Sequence, residues 1–203
     1  MFDIIFSIIV LLFSIAMHEA AHGFVAYKLG DPTAKYAGRL SLNPLKHMDP
    51  IGSFIFPLLT LLATGGRGPA FGWAKPVPIN PYNFSDQKWG KIKVAVAGPL
   101  VNFIIALISG LMLRLIPASS FLFPILITIS LMNLSLCVFN LLPFPPLDGG
   151  HVVLGLLPES MHSVKVFLER YGFFILLMLM LSGANIVSPL VLKIFYLVIG
   201  SGF

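Results

Sequence analysis

The sequence is short of charged residues and of cysteine, and each shortage excludes a class of protein. Charged residues make up 10% of the 203 positions and hydrophobic residues 57%, against about 25% and about 45–50% in soluble globular domains. An ordinary soluble domain is therefore excluded. The single cysteine, Cys137, rules out a disulfide within the chain, and its apolar neighbours are typical of a small buried residue.

The sequence also lacks the alternating segments of about ten residues that a membrane β-barrel requires. Instead it contains apolar runs close to the ~20 residues that cross a bilayer as a helix. We expect an all-α polytopic membrane protein with about five transmembrane helices, at 4–27, 94–116, 122–142, 164–183 and 186–203. Residues 1–203 are predicted to form one membrane-embedded domain, with a core at 1–158 and C-terminal helices at 164–203.

The few charges are unevenly distributed along the chain. The net charge is +5, and nine of the 13 lysines and arginines lie within residues 28–93. Such clusters are typical of cytoplasmic loops in membrane proteins. The basic balance therefore indicates a lipid bilayer as the surroundings and no nucleic acid as a partner.

Two shorter segments separate the first two long apolar runs. The 14 residues 51–64 reach only ~21 Å as a helix, short of the ~30 Å hydrocarbon core, which predicts a re-entrant segment. Residues 72–80 read GWAKPVPIN, and this alternation with prolines predicts a small β-hairpin or edge strand. A substrate strand could pair with such an edge, so Trp73 and Val77 are candidate substrate-binding residues.

The first apolar run contains the pentapeptide His18-Glu19-Ala20-Ala21-His22. On a helix, residues four apart lie on one face, so both imidazoles can reach one metal ion. This H-E-x-x-H arrangement is typical of a zinc site in which the glutamate is the general base. Ionisable groups are costly in an apolar run, which favours a function over chance. Zn2+ is therefore the expected cofactor, with His18 and His22 as ligands and Glu19 as the catalytic base.

A catalytic zinc usually has three protein ligands, and Asp148 is the best candidate for the third. It follows an apolar run and three prolines, within LLPFPPLDGG, where irregular backbone lines a cavity or packs in protein. The other aspartates lie at ends or in loops. His151, three residues further on, is expected to pack near the site without binding the metal.

Three sequence segments resemble the site-2 protease family. They are HEAAH in the first helix, GPLVN at 98–102 and NLLPFPPLDGG at 140–150. The resemblance extends to LNPLKHMDPIG and FGWAKPVPIN and implies cleavage of transmembrane segments of other proteins. It also implies that Asn140 faces the site, where it binds the oxyanion or the substrate backbone, and that Asn102 is similarly placed as a substrate-binding residue.

Only five residues separate the runs 94–116 and 122–142, so no PDZ domain fits there. We expect a small microbial form without PDZ or CBS domains. Two alternatives remain open at this point: a membrane metalloprotease that clips soluble peptides, and a zinc transporter. The sequence does not predict the oligomeric state.

The metal ligands also predict a topology. His18, His22 and Asp148 can meet only if the helices 4–27 and 122–142 run in the same direction, which requires an odd number of crossings between them. Residues 94–116 supply one crossing, so 51–64 must return to the side it left. The basic residues of 28–93 then lie in the cytoplasm. We expect a multi-pass protein of a prokaryotic plasma membrane, with its active site toward the cytoplasm.

Overall fold

A computed structural model describes residues 2–63, 65, 72–182 and 186–200. Its regular secondary structure is helical throughout these residues. The helices are α1 (Phe2–Lys28), α2 (Thr33–Tyr36), α3 (Phe56–Ala63), α4 (Trp89–Leu113), α5 (Leu122–Asn140), α6 (Asp148–Leu156), α7 (His162–Leu181) and α8 (Val187–Ile199). A π-helical turn, Ile51–Ile55, leads into α3, and short 3₁₀ turns begin at Pro44, Pro81 and Glu159.

Three helices in the described part of the chain are long and apolar enough to cross a membrane: Ile4–Lys28, Trp89–Leu113 and Leu122–Asn140. The expected number of five spans is not confirmed. Helix α8 has 13 residues, or about 20 Å. Helix α7 has 20 residues, but Lys165, Glu169 and Arg170 lie in its first half. The helical class is thus supported, with three helices that are long and apolar enough to cross a membrane.

Helices α1 and α4 run antiparallel, as the order of their contacts shows. Nδ1 of His22 lies 2.7 Å from the carbonyl oxygen of Val94, and Nδ2 of Asn102 lies 3.4 Å from that of Ser14. Residue numbers therefore fall along α1 as they rise along α4. The connection 29–88 consequently begins and ends at the same end of this helix pair.

Helices α4 and α5 are also antiparallel. Asn102 donates to Asn133 at 2.8 Å, and Ser130 donates to the carbonyl of Ala106 at 3.0 Å. Helix α5 therefore runs in the same direction as α1, as the sequence predicted from the meeting of the ligands. Helix α8 packs against this pair through a shared apolar core, with Leu134, Val191 and Phe195 among its buried members.

Residues 72–80 are extended but form no strand with any described residue, so the expected β-hairpin or edge strand is not confirmed. Their N–H groups are bonded elsewhere. Trp73 donates to the Gly52 carbonyl at 3.0 Å, and Lys75 donates to the His47 carbonyl at 2.9 Å. Val77 donates to Glu19 Oε2 at 2.9 Å. The alternating pattern indicates extended backbone, but two short helical turns and the side chain of Glu19 supply the acceptors that a neighbouring strand would have supplied.

Asp31 anchors this segment to the end of α1. Its carboxylate is buried and accepts hydrogen bonds from Thr33 N at 3.2 Å, Thr33 Oγ1 at 2.5 Å, Asn80 N at 2.7 Å and Asn83 Nδ2 at 2.8 Å. Burial alone would raise the pKa of Asp31, but the hydrogen bonds outweigh it and hold the pKa below its ordinary 3.8. The stabilisation is therefore complete above about pH 4 and is lost as the pH falls through the lower pKa of the folded state.

Replacing Asp31 tests this anchor. Asp31→Ala leaves four partly buried donor contacts without their acceptor, and we expect a loss of roughly 2 kcal/mol of stability. The thermal midpoint in detergent should fall, and protease should cut within 72–84 faster than in the wild type. Glu159→Ala is the control because Glu159 pairs with Lys165 at the surface, at 2.8 Å, and exposed pairs contribute less than about 1 kcal/mol. Equal effects of the two changes would contradict the anchoring role.

Candidate metal centre

Three side chains with metal-binding atoms meet between α1 and the start of α6. The ligand atoms of His18, His22 and Asp148 all lie within 4.8 Å of one another. The Nε2 atoms of the two histidines are 3.0 Å apart. His18 Nε2 lies 3.1 Å from Asp148 Oδ2, and His22 Nε2 lies 3.4 Å from Oδ1. The structure thus brings together the three side chains that the sequence singled out as ligands.

Each histidine is oriented by an acceptor behind its ring. Nδ1 of His18 lies 2.6 Å from Asn102 Oδ1, and Nδ1 of His22 lies 2.7 Å from the carbonyl oxygen of Val94. A carbonyl oxygen only accepts, so each Nδ1 carries the proton and each Nε2 presents a lone pair to the centre. This is the arrangement that metal-binding histidines ordinarily have.

Gly98 gives the two imidazoles room to meet. A Cβ atom built on Gly98 would lie 2.5 Å from Nε2 of both His18 and His22. Such a distance is far inside van der Waals contact, so any larger residue would displace the rings. The glycine of GPLVN therefore lets α4 approach the site closely.

Asp148 reaches the site because of the turn between α5 and α6. The turn holds Phe144, the prolines 143, 145 and 146, and a cis Pro145-Pro146 bond. Asp148 is the first residue of α6. Gly149 and Gly150 pack directly on the backbone of the turn, where a Cβ would collide with Leu141 and Pro145 respectively. The two glycines of LDGG thus allow the start of α6 to pack closely against the end of α5 and the turn that follows it.

These residues fit a zinc ion by the chemistry of their donor atoms. The Nε2 lone pairs of the two histidines and the Asp148 carboxylate face each other within 4.8 Å. Because all three are electron-rich, they repel one another unless a cation lies between them. Asp148 Oδ2 is buried and receives no hydrogen bond from the described residues. Two histidines and one carboxylate are a donor set typical of catalytic zinc.

Glu19 lies beside the ligands, and its carboxylate is held by the backbone. Its Oε2 accepts from the N–H of Val77 at 2.9 Å. Glu19, His18, His22 and Asp148 line one open cavity of about 990 Å³, together with Val77, Asn140 and His151. Five charged residues line the same cavity and make its wall polar enough to admit water: Lys88, Lys91, Glu159, Lys165 and Glu169.

The remaining candidate residues lie in different places. Asn140 lines the cavity, and its Nδ2 donates to the Leu136 carbonyl of its own helix at 2.9 Å. Asn102 is fully buried behind His18, so its contacts favour orienting that histidine. Trp73 lies outside the cavity lining and packs on Phe56, with ring centroids 5.1 Å apart. Val77 is buried and lines the cavity. Their roles toward a substrate stay predictions.

Sequence reasoning missed two polar residues behind the site. Asn133 of α5 and Ser14 of α1 are both buried, and the amide of Asn133 contacts Asn102 and Ser14 Oγ. A signal for them exists, because a polar side chain within an apolar run usually has a partner or a function. Ser14 also stands four residues before His18, on the same face of α1.

The two histidines of an H-E-x-x-H motif meet an aspartate among helices apolar enough to cross a membrane. This arrangement is typical of the class of membrane metalloproteases. The model of Peptidase family M50 matches residues 116–182, which include Asp148. YwhC of Bacillus subtilis, provisionally named a zinc metalloprotease, is 38% identical over 90% of this chain and 84% of its own length. The chain therefore belongs to Peptidase family M50, the site-2 protease family, and is a zinc metalloprotease.

More distant relatives agree with this membership. Rip2 of Mycolicibacterium smegmatis, also provisionally named a zinc metalloprotease, is 31% identical over 85% of this chain and 65% of its own length. The zinc metalloprotease MJ0392 of Methanocaldococcus jannaschii is 28% identical over 77% of this chain and 36% of its own. The chain thus spans less than two thirds of these two relatives. No solved structure matches it significantly.

Adding one methyl group tests the role of Gly98. Gly98→Ala should push both imidazoles from their positions, and we expect zinc binding at least about tenfold weaker, as when groups that orient ligands are lost. Competition with a chelating dye measures this affinity. Gly110→Ala is the matched control, since Gly110 lies on the same helix but its Cβ would meet Val198 Cγ1 at 2.6 Å and Ser130 Oγ at 3.3 Å, and neither imidazole. Wild-type zinc affinity in Gly98→Ala would refute the close-approach argument.

Proposed function

We propose that this protein is an intramembrane zinc metalloendopeptidase, which hydrolyses peptide bonds in transmembrane segments of other proteins. The observation that carries the proposal is the meeting of His18, His22 and Asp148 at helices apolar enough to cross a membrane. A cluster of ionisable groups in such surroundings is costly without a bound ion. Among the described residues this is the one cluster that could hold a metal, which favours a single reaction centre over a transport path.

His18, His22 and Asp148 hold the zinc, and Asn102 and the Val94 carbonyl fix the two imidazoles. When bound, zinc would act as a Lewis acid that polarises the scissile carbonyl and lowers the pKa of water, which makes the water a better nucleophile. The half-buried Asp148 carboxylate offsets part of the charge of the ion. The protein thereby prepares the site before a substrate enters.

Glu19 is the general base of the reaction. Its Oε2 is held by the N–H of Val77 at 2.9 Å, so Oε1 is the oxygen that takes the proton from the attacking water. The same carboxylic acid then delivers the proton to the amine of the leaving strand. Asn140 lies on the wall of the same cavity and gives one amide N–H to the Leu136 carbonyl. Its second N–H is offered to the oxyanion or to the substrate backbone.

The substrate must unwind before its peptide bond reaches the site. A helical peptide bond is shielded by its own hydrogen bonds, and an unwound one leaves N–H and C=O groups unpaired. We expect the extended residues 72–80 to pair with the unwound segment. The N–H groups of Trp73, Lys75 and Val77 are already bonded inside the protein, and Pro76 and Pro78 have none. The carbonyls of Trp73, Lys75 and Pro76 also accept hydrogen bonds, from Ser53 and Arg39. Pairing therefore depends chiefly on the remaining carbonyl oxygens of this segment.

Cleavage of a single-span reporter in liposomes tests the proposed reaction. Glu19→Gln should lower the rate by at least about 100-fold, as expected for a lost general base, and should leave zinc near one per chain. Asp148→Ala should lose both zinc and activity. Glu169→Gln is the control, because Glu169 is an exposed acid on the same cavity. Cleavage of soluble peptides with an intact reporter would instead support a peptide-clipping enzyme.

We further propose a multi-pass topology with the site toward the cytoplasm. Because α1 and α4 are antiparallel, residues 29–88 start and finish on one side, and the apolar α3 enters the membrane and returns. Exposed apolar side chains on α3, among them Leu58, Leu59 and Leu62, suit contact with lipid. The basic residues of 28–93 assign that side to the cytoplasm of a prokaryotic plasma membrane.

Cysteine labelling in intact cells tests this topology. Single cysteines at Lys35 and Gln87, in a Cys137→Ala background, should both resist an impermeant reagent added outside and react after the cells are opened. A third cysteine at Ser119, in the turn between α4 and α5, should react from outside. Labelling of one of the first two positions but not the other would rule out a returning α3.

A further inference from the structure

Behind His18, a line of hydrogen bonds crosses all three spanning helices. His18 Nδ1 lies 2.6 Å from Asn102 Oδ1, and Asn102 Nδ2 donates to Asn133 Oδ1 at 2.8 Å. Asn133 Nδ2 donates to Ser14 Oγ at 2.9 Å and to the carbonyl of Ile129 at 2.9 Å. The two amides are fully buried, at 0% and 1% exposure. Neither can therefore exchange these contacts for water.

The direction of every bond in this line follows from its far end. The Ile129 carbonyl only accepts, so the NH₂ group of Asn133 must face it and the Oδ1 of Asn133 must face Asn102. Asn102 then presents its NH₂ to Asn133 and its Oδ1 to His18. An oxygen there requires a proton on Nδ1 of His18, which leaves Nε2 with a lone pair.

We propose that Asn133 is a positioning residue that sets the proton position of His18, through Asn102, and so prepares Nε2 to bind the metal. The inference rests on the proposed zinc site. Without the Asn133 amide, the NH₂ of Asn102 keeps only its long 3.4 Å contact with the Ser14 carbonyl. Asn102 can then rotate by 180° and present its NH₂ to His18. The histidine would then keep its proton on Nε2, the atom that must bind zinc, and the proton would have to leave before the ion could bind.

A role in packing alone does not explain this arrangement. The same two helices are already joined one turn away by Ser130, whose Oγ donates to the Ala106 carbonyl at 3.0 Å. That bond does not lead to a metal ligand. Ser130 is as buried as Asn133 and lies on the same helix, so it provides a matched comparison for a lost contact between α4 and α5.

The experiment compares zinc affinities measured by competition with a chelating dye on purified protein. Asn133→Leu keeps the branching of the side chain but removes its polar atoms. It should bind zinc about 10–100-fold more weakly than the wild type, the usual cost of losing a group that orients a ligand. Ser130→Ala should bind zinc within threefold of the wild type. If Asn133→Leu fails to fold, Asn133→Ala takes its place in the same measurement.

A second background separates orientation from packing. In Asn102→Asp, either carboxylate oxygen accepts from His18, so the side chain no longer needs Asn133 to choose its direction. There, Asn133→Leu should weaken zinc binding less than about threefold, against the 10–100-fold expected with Asn102 present. An equal loss in both backgrounds, or no loss in either, would overturn the inference. Absence of zinc from the wild type would instead refute the proposed metal site.

Discussion

The structure depends on one constraint: a polar atom buried among apolar helices must have a partner. His18 and His22 each place one ring nitrogen on an acceptor from α4 and turn the other toward Asp148. The NH₂ group of Asn102 donates to Asn133 Oδ1, and the NH₂ group of Asn133 donates in turn to the Ile129 carbonyl of its own helix. The hydrophobic helices set the surroundings, and these few bonds select one arrangement of the helices within them.

Helix α4 meets this constraint at three successive positions on one face. The Val94 carbonyl holds one imidazole, Gly98 lets both rings approach, and Asn102 holds the other imidazole. These positions are four residues apart, so they lie along a single stripe that faces α1. A helix that carries no metal ligand thus decides where both histidines point, and GPLVN is as much a part of the site as HEAAH.

The sequence predicted the parts of the site that local patterns describe. Helical spacing placed His18 and His22 on one face, and the scarcity of acids in apolar runs singled out Asp148, whose position beside them the structure shows. Local patterns did not predict hydrogen bonds whose partners lie far apart in the sequence. Alternation in 72–80 indicated extended backbone but not that Glu19 would accept one of its hydrogen bonds. The position of Asn133 in an apolar run did not indicate which groups its amide would contact.

The distance along the chain between the histidines and Asp148 has a consequence for biosynthesis. The histidines belong to α1, whereas Asp148 follows α4 and α5 and leaves the ribosome after both of them. A chain still being made holds an incomplete set of ligands and no seated turn at residues 141–147. The metal centre is therefore complete only after α1, α4 and α5 have been made, so a nascent chain cannot yet hold zinc with all three ligands.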